Sequence, residues 1–247
     1  MRQADIVICG AGIAGIAAAH ELAVERRVGR VLIVDPQPPL SVTSDKSTEC
    51  YRNWWPGPGD DMVALMNRSI DLLEELAHES ENRFLLNRRG YLFVTADPAQ
   101  VPVFVERAKE AATRAVGPAR IHDHASSDYE PARADGFEDQ PTGTDVITDP
   151  TLLRRYFPHL ASDTKAVLHA RRCGWFSAQQ LGMYLLERAR EKGARLVEGR
   201  VEAVDVAGGR VRGVTVAGPG GARRIDTPRF VNAAGPFTKA VGRLLGV

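Results

Sequence analysis

The sequence predicts an α/β fold in which a domain with a parallel sheet is split by an inserted α+β domain carrying an antiparallel sheet. Three observations predict it. Residues 6–35 read as a buried strand, a glycine-rich turn, a helix and a second buried strand. The chain then leaves the strand–helix alternation of a plain parallel domain for helices and, later, short alternating strands. Finally, Phe230-Val231-Asn232 with the small residues Ala233-Ala234-Gly235-Pro236 reads as a strand returning late to the first sheet.

The first unit ends on an acid. Ile6-Val7-Ile8-Cys9 is followed at once by Gly10-Ala11-Gly12-Ile13-Ala14-Gly15, and Val31-Leu32-Ile33-Val34-Asp35 closes it. Gly10 permits the tight turn, Gly12 lets backbone approach a pyrophosphate, and Gly15 lets the helix pack closely on the sheet. Phosphates sit against the free N–H groups and positive end of such a helix. Asp35 is placed to accept hydrogen bonds from a ribose diol, so the unit reads as an adenine-dinucleotide site.

Pro36-Gln37-Pro38-Pro39 breaks regular structure, and residues 41–48 form a hydroxyl-rich loop. Residues 60–79 read as an amphipathic helix with Met62, Leu65, Met66, Ile70, Leu73 and Leu76 at helical spacing. A strand is expected at 91–94 and a helix at 102–115. Residues 122–147, rich in Asp, Glu, Ser, Pro and Gly, read as an exposed insertion or mobile loop. A short helix near 151–157, a strand near 166–169 and a helix near 178–192 come next. The runs 195–198, 201–206, 211–216 and 222–225 read as a meander with a hairpin at Gly208-Gly209. A helix is expected from Thr238 to Leu245.

Composition narrows the function classes. The chain has 247 residues, 44% hydrophobic and 26% charged, the balance of a globular chain with a substantial core. Its 32 basic and 31 acidic residues leave a formal charge of +1, which favours neither nucleic acid nor an anionic membrane surface. No apolar run reaches the length of a membrane span. Cys9, Cys50 and Cys173 are odd in number and scattered, which fits a cytoplasmic location and argues against structural zinc. His20 reads as structural, and His122 and His124 lack partners at metal spacing, so no metal is expected. Asp5 and the glycines oppose reading the N-terminus as a secretory leader.

These residues resemble the FAD-dependent amine and amino-acid oxidoreductases, the group containing sarcosine oxidase, glycine oxidase and D-amino-acid oxidase. The resemblance lies in the fingerprint Gly10 to Gly15 continued by Ala19 and Leu22, and in Gly193-Ala194-Arg195 before Val201-Glu202-Ala203-Val204. Val231-Asn232-Ala233-Ala234-Gly235-Pro236 adds the family's return strand. It implies FAD as cofactor. The contacts it implies are Gly10, Ala11, Gly12, Ile13, Ala14, Gly15, Asp35 and Pro36 in the first unit, and Thr43, Ser44, Lys46, Ser47 and Thr48 in the hydroxyl-rich loop. To these it adds a backbone group of Val201 at the adenine, and Ala233, Ala234 and Gly235 in the return turn. Split strand order independently suits a flavin, whose ring lies at a domain interface.

The implied activity is oxidation of a small amine or amino acid by hydride transfer to flavin N5, with no obligatory acid–base pair and therefore no catalytic residue named. A hydroxy substrate and a non-catalytic dinucleotide-binding module stay open as alternatives. Gly174-Trp175-Phe176-Ser177-Ala178 stands where many relatives read Gly-hydrophobic-Asp-Pro, which leaves the substrate open. Residues 1–80 plus 175–247 are expected to form the FAD-binding domain, and 81–174 a partial substrate domain. Because the family's chains are longer, the chain is expected to be a C-terminally truncated N-terminal portion. The hydroxyl-rich loop also reads as a simple turn. Arg52, Trp54 and Trp55 read either as lining a ring and gripping a carboxylate, or as core filler with Arg52 paired to Glu49.

Overall fold

Four consecutive buried residues make β1 (Ile6–Cys9) in the computed structural model, which describes residues 2–246. Helix α1 (Ile13–His20) follows, its end widening into a π turn over Glu21–Glu25, and β2 (Val31–Asp35) is buried almost throughout. After the hydroxyl-rich loop come β3 (Cys50–Arg52), α2 (Asp61–Glu79), β4 (Tyr91–Thr95), α3 (Val101–Ala112), β5 (Ala119–His122) and β6 (Thr144–Ile147). Helix α4 (Pro150–Tyr156) starts where its residues dictate: Pro150 suits the first helical position, and the Asp149 carboxylate accepts from the Thr151 and Leu152 N–H groups at 2.8 and 3.0 Å. Strands β7 (Ala166–Ala170) and β8 (Cys173–Trp175) lead to α5 (Ala178–Glu191). The chain closes with β9 (Arg195–Glu198), β10 (Arg200–Ala207), β11 (Arg210–Gly218), β12 (Gly221–Asp226), β13 (Phe230–Asn232) and α6 (Thr238–Arg243).

The chain parts into two units, Met1–Thr48 with Ala178–Val247, and Glu49–Ser177. In the first, a parallel sheet has the order β13-β1-β2-β9, and β10-β11-β12 form an antiparallel meander. Alternate strand residues face opposite sides. Val7, Cys9, Leu32 and Val34 pack with Val201, Val214, Val216 and Ile225 of the meander, while α1 lies against β1, β2 and α5. The return strand is as expected, with Val7 opposite Phe230 and Cys9 opposite Asn232. Residues 195–198, however, do not belong to the meander. As β9 they pair in parallel with β2, Asp35 opposite Glu198, and Gly199 turns the chain into β10. A Cβ on Gly199 would stand 2.7 Å from Val216 Cγ1 and 2.8 Å from the Ala217 carbonyl oxygen, so the corner requires glycine.

The second unit has a sheet of order β4-β7-β6-β5 and a two-stranded ribbon β3-β8. One face packs with α3 through Phe93, Val146, Leu168 and Ala108, and the other with α4 through Ile147, Val167, Leu152 and Phe157. Helix α2 belongs here, which moves the boundary expected near residue 80 to Thr48. Arg172 holds it, donating to Asp71 at 2.6 Å and Glu74 at 2.8 Å. Its buried stripe is Val63, Ile70 and Ala77, so Met62 and Leu65 face outward instead, 43% and 59% exposed.

Residues 122–147 match expectation only in part: most of 123–139 is exposed, but the ends are not. They begin on β5 and end on the fully buried β6, and Tyr129, Phe137 and Gln140 between them are buried. His122 is 4% exposed and its Nε2 lies 2.8 Å from Asp145 Oδ1. Asp145 also receives Arg120 at 2.7 Å and stands 3.4 Å from Arg171, so this charge of the segment is turned inward and paired, whereas Asp123, Asp135 and Glu138 stay exposed. Among the described residues no group of metal-ligating side chains occurs and no helix is long and apolar enough to cross a membrane.

Candidate functional site

The glycine-rich turn closes against the return turn. Gly10 takes φ +114°, and a Cβ there would stand 2.3 Å from the Ala233 carbonyl oxygen. The Ala233 N–H donates to the Cys9 carbonyl at 2.9 Å, which fixes that approach. A Cβ on Gly15 would lie 2.0 Å from the Gly10 carbonyl oxygen, so the start of α1 sits directly on the turn. Gly12 precedes the helix, and the first intrahelical bond is Ile16 N–H to the Gly12 carbonyl at 3.0 Å. The N–H groups of Ile13, Ala14 and Gly15 thus lie in the turn that has no intrahelical acceptors.

Ser44 supplies an acceptor for one of them. In the turn Thr43–Asp45 its buried hydroxyl takes the Ile13 N–H at 3.0 Å. A hydroxyl that accepts in this way keeps its own proton to donate. Asp35, at the end of β2, accepts the Ala11 N–H at 2.7 Å through Oδ2 and the Gln37 N–H at 2.8 Å through Oδ1. Those bonds orient the carboxylate and leave each oxygen a further lone pair for a diol. Cys9 lies beneath, and burial with the Asp35 charge pushes its thiol up to about 11, which keeps it neutral and unreactive.

The donor set fits an adenine dinucleotide: small residues at the close approach, free N–H groups at a helix start with no acid in its first turn, a hydroxyl beside them, and an oriented acid at the next strand end. The structure brings Gly10, Ala11, Gly12, Ile13, Gly15, Asp35, Ser44, Ala233 and Ala234 together. Thr43 joins through Gly235, whose Cβ would stand 3.8 Å from Thr43 Oγ1. Ala14, Pro36, Ser47 and Thr48 are exposed. Lys46 is exposed as well and its ammonium is paired with the Asp45 carboxylate. Val201 turns its side chain into the core and its backbone pairs with Val216, two residues past the Gly199 N–H that donates to the Asp35 carbonyl at 3.0 Å.

Two participants carried no sequence signal. The Leu40 N–H donates to the Ala11 carbonyl at 2.9 Å, and Gln179 on α5 donates through Nε2 to the Leu40 carbonyl at 3.3 Å and to Asp45 Oδ1 at 3.0 Å. In the second unit Arg52 makes no ion pair among the described residues; its guanidinium carbon stands 4.2 Å from the Trp55 ring centre and 5.6 Å from that of Tyr91. Trp54 is core, 4% exposed and 4.6 Å from the Phe93 ring centre.

Residues 5–247 match the model of a family described as DAO: FAD dependent oxidoreductase. No curated sequence relative matches the chain. Among solved structures, an L-proline dehydrogenase from P. horikoshii superposes with a TM-score of 0.76 at 22% identity, covering 100% of this chain and 56% of that one. Glycine oxidase from Geobacillus kaustophilus gives 0.75 at 20%, covering 100% and 59%. L-amino acid deaminase from Proteus vulgaris gives 0.75 at 21%, covering 100% and 51%. The chain thus spans between about a half and three fifths of the length of these proteins, and at such identities the likeness is one of fold.

Proposed function

The chain belongs to the family of FAD dependent oxidoreductases, and from that premise we propose that its protein oxidises a small amine or amino acid. When bound, the flavin would supply the hydride acceptor, N5, for oxidation of the carbon next to the amine nitrogen. The observation that carries the nucleotide half of this reading is the closure of Gly10–Gly15 against the return turn, with Ser44 on the first N–H of α1 and Asp35 held at the end of β2.

In this reading the N–H groups at the start of α1 and the Ser44 and Thr43 hydroxyls hold the pyrophosphate, and Asp35 holds the ribose diol. Ala233 to Gly235 and the backbone at Val201 complete the cradle. Lys46, Ser47 and Thr48 belong to the same loop and close its outer side. The second unit contributes to substrate binding. Arg52, with no ion-paired carboxylate among the described residues and an aromatic ring near its guanidinium, supports a substrate that carries a carboxylate. The relatives whose printed names mention glycine, proline and amino acids support an amino-acid substrate over a hydroxy acid. Three cysteines, none of them in a disulfide among the described residues, support a cytoplasmic location.

Anaerobic mixing of the FAD-loaded protein with sarcosine, glycine, D-amino acids, proline and 2-hydroxy acids tests the substrate class. Bleaching of the flavin band by an amine or amino acid is the expected result. Bleaching by hydroxy acids alone, or by none of these compounds, contradicts it.

A further inference from the structure

We propose that Gln179 is a positioning residue of the cofactor site: its carboxamide latches the hydroxyl-rich loop so that Ser44 presents its hydroxyl at the start of α1. The inference rests on the FAD reading above. It joins three observations made within the first unit. The root of the loop is fixed at Leu40, which is 1% exposed, takes φ +64° and packs where a Cβ on Gly182 would come within 2.6 Å of it. A left-handed φ at a branched residue persists only where its surroundings hold it, and here the Ala11 carbonyl, Gly182 and Gln179 all do. Beyond the root, the turn Thr43–Asp45 is held by its own short backbone bonds and by two side-chain ties, Ser44 to Ile13 N–H and Asp45 to Gln179.

One carboxamide therefore grips both ends of the segment that carries Ser44, donating to Leu40 at its base and Asp45 at its tip. The grip comes from the first turn of α5, whose buried Leu181, Leu185 and Leu186 anchor it. It also falls where the chain changes units, three residues before Thr48 and one after Ala178. A side-chain amide here offers two donors, as the geometry needs, whereas a carboxylate offers none and would face Asp45 with like charge. With the latch made, the Ser44 oxygen accepts from Ile13 and its proton is left for a phosphate oxygen. Without it, the loop has one tie fewer and the hydroxyl is no longer held in register with the helix.

Equilibrium titration of the 247-residue chain with FAD, followed by flavin fluorescence, tests this. Gln179→Glu keeps the side-chain shape and removes the donors while sparing the Lys46–Asp45 pair, and Asp45→Ala removes the same bond, together with that pair, from the exposed side of the loop. Each is expected to raise the Kd for FAD about tenfold, the scale of one hydrogen bond to a charged acceptor. In a Ser44→Ala background neither is expected to weaken binding further, because the latch acts through that hydroxyl. Endoproteinase Lys-C is expected to cut the FAD-free variants after Lys46 faster than the parent chain. Unchanged affinity in both variants, or equal weakening with and without Ser44, overturns the latch. Failure of the parent chain itself to bind FAD instead overturns the cofactor reading, and so the two are told apart.

Discussion

Gly10→Ala is expected to abolish FAD retention and to destabilise the first unit by about 3 kcal/mol or more. Two effects combine at this residue. Its φ of +114° lies in the region that residues with a Cβ rarely adopt, and the added carbon would stand 2.3 Å from the Ala233 carbonyl oxygen and 2.7 Å from its carbon. The obstacle is backbone on a parallel strand's exit, pinned by the Ala233 N–H to the Cys9 carbonyl, so no rotamer relieves it. Relief requires moving either the return turn or the start of α1, which itself touches the Gly10 carbonyl through Gly15. Gly29→Ala is the matched control, since nothing lies within 4 Å of its added carbon. Thermal unfolding followed by circular dichroism, with FAD titration on the same samples, reads both consequences. A Gly10→Ala chain that melts and binds as the parent does would remove the steric account of the turn.

Asp145→Ala is expected to destabilise the second unit by about 3–5 kcal/mol, the usual result of leaving a buried charge without its partner. Asp145 is 2% exposed and Arg171 likewise, and the carboxylate gathers Arg120, His122 and Arg171. His169 continues the network, its Nε2 3.1 Å from the Arg89 carbonyl oxygen and its Nδ1 3.0 Å from the Tyr129 hydroxyl and 2.9 Å from Arg171 Nη1. All three tryptophans, Trp54, Trp55 and Trp175, lie in this unit, so fluorescence-detected urea unfolding reports on it alone. Acid should act in the same direction on the parent chain. Burial raises the Asp145 carboxyl, but the bonds and charges of Arg120, His122 and Arg171 outweigh it and hold the group below its ordinary value of 3.8. Its contribution is present above that value and lost as pH falls through the lowered one. Burial, reinforced by Arg171, lowers His169 from 6.5 to about 4. Between those values the unfolded chain binds the extra proton, so stability falls as pH drops from about 6.5 to about 4. Stability that is flat across this window would contradict the neutral, buried His169.

The nucleotide half was legible because its demands fall on residue identity. Only glycine fits where Gly10 and Gly15 meet backbone, and an acid at the end of β2 is visible as Asp35. Strand β9 was misread because a single corner, Gly199, separates it from the meander, and run-on strands look alike in sequence. Strands β3 and β8 escaped notice at three residues each. The buried end of residues 122–147 was missed for a different reason. Charged residues signal exposure when taken singly, whereas Arg120 and Asp145 neutralise each other from strands 25 positions apart. The outward turn of Met62 and Leu65 reflects a stripe chosen one position away, on Val63, Ile70 and Ala77. Gln179 had no motif, because its role depends on a loop 134 positions earlier folding back to it.

Titration of FAD into the chain beside its Asp35→Ala variant is the most direct measurement of the central claim. The account predicts saturable uptake by the parent chain, and weaker binding by about 1–3 kcal/mol in the variant as the oriented acceptors for the ribose are lost. A folded parent chain that takes up no FAD, or a variant that binds it equally well, would contradict the site built on Gly10, Ser44 and Asp35.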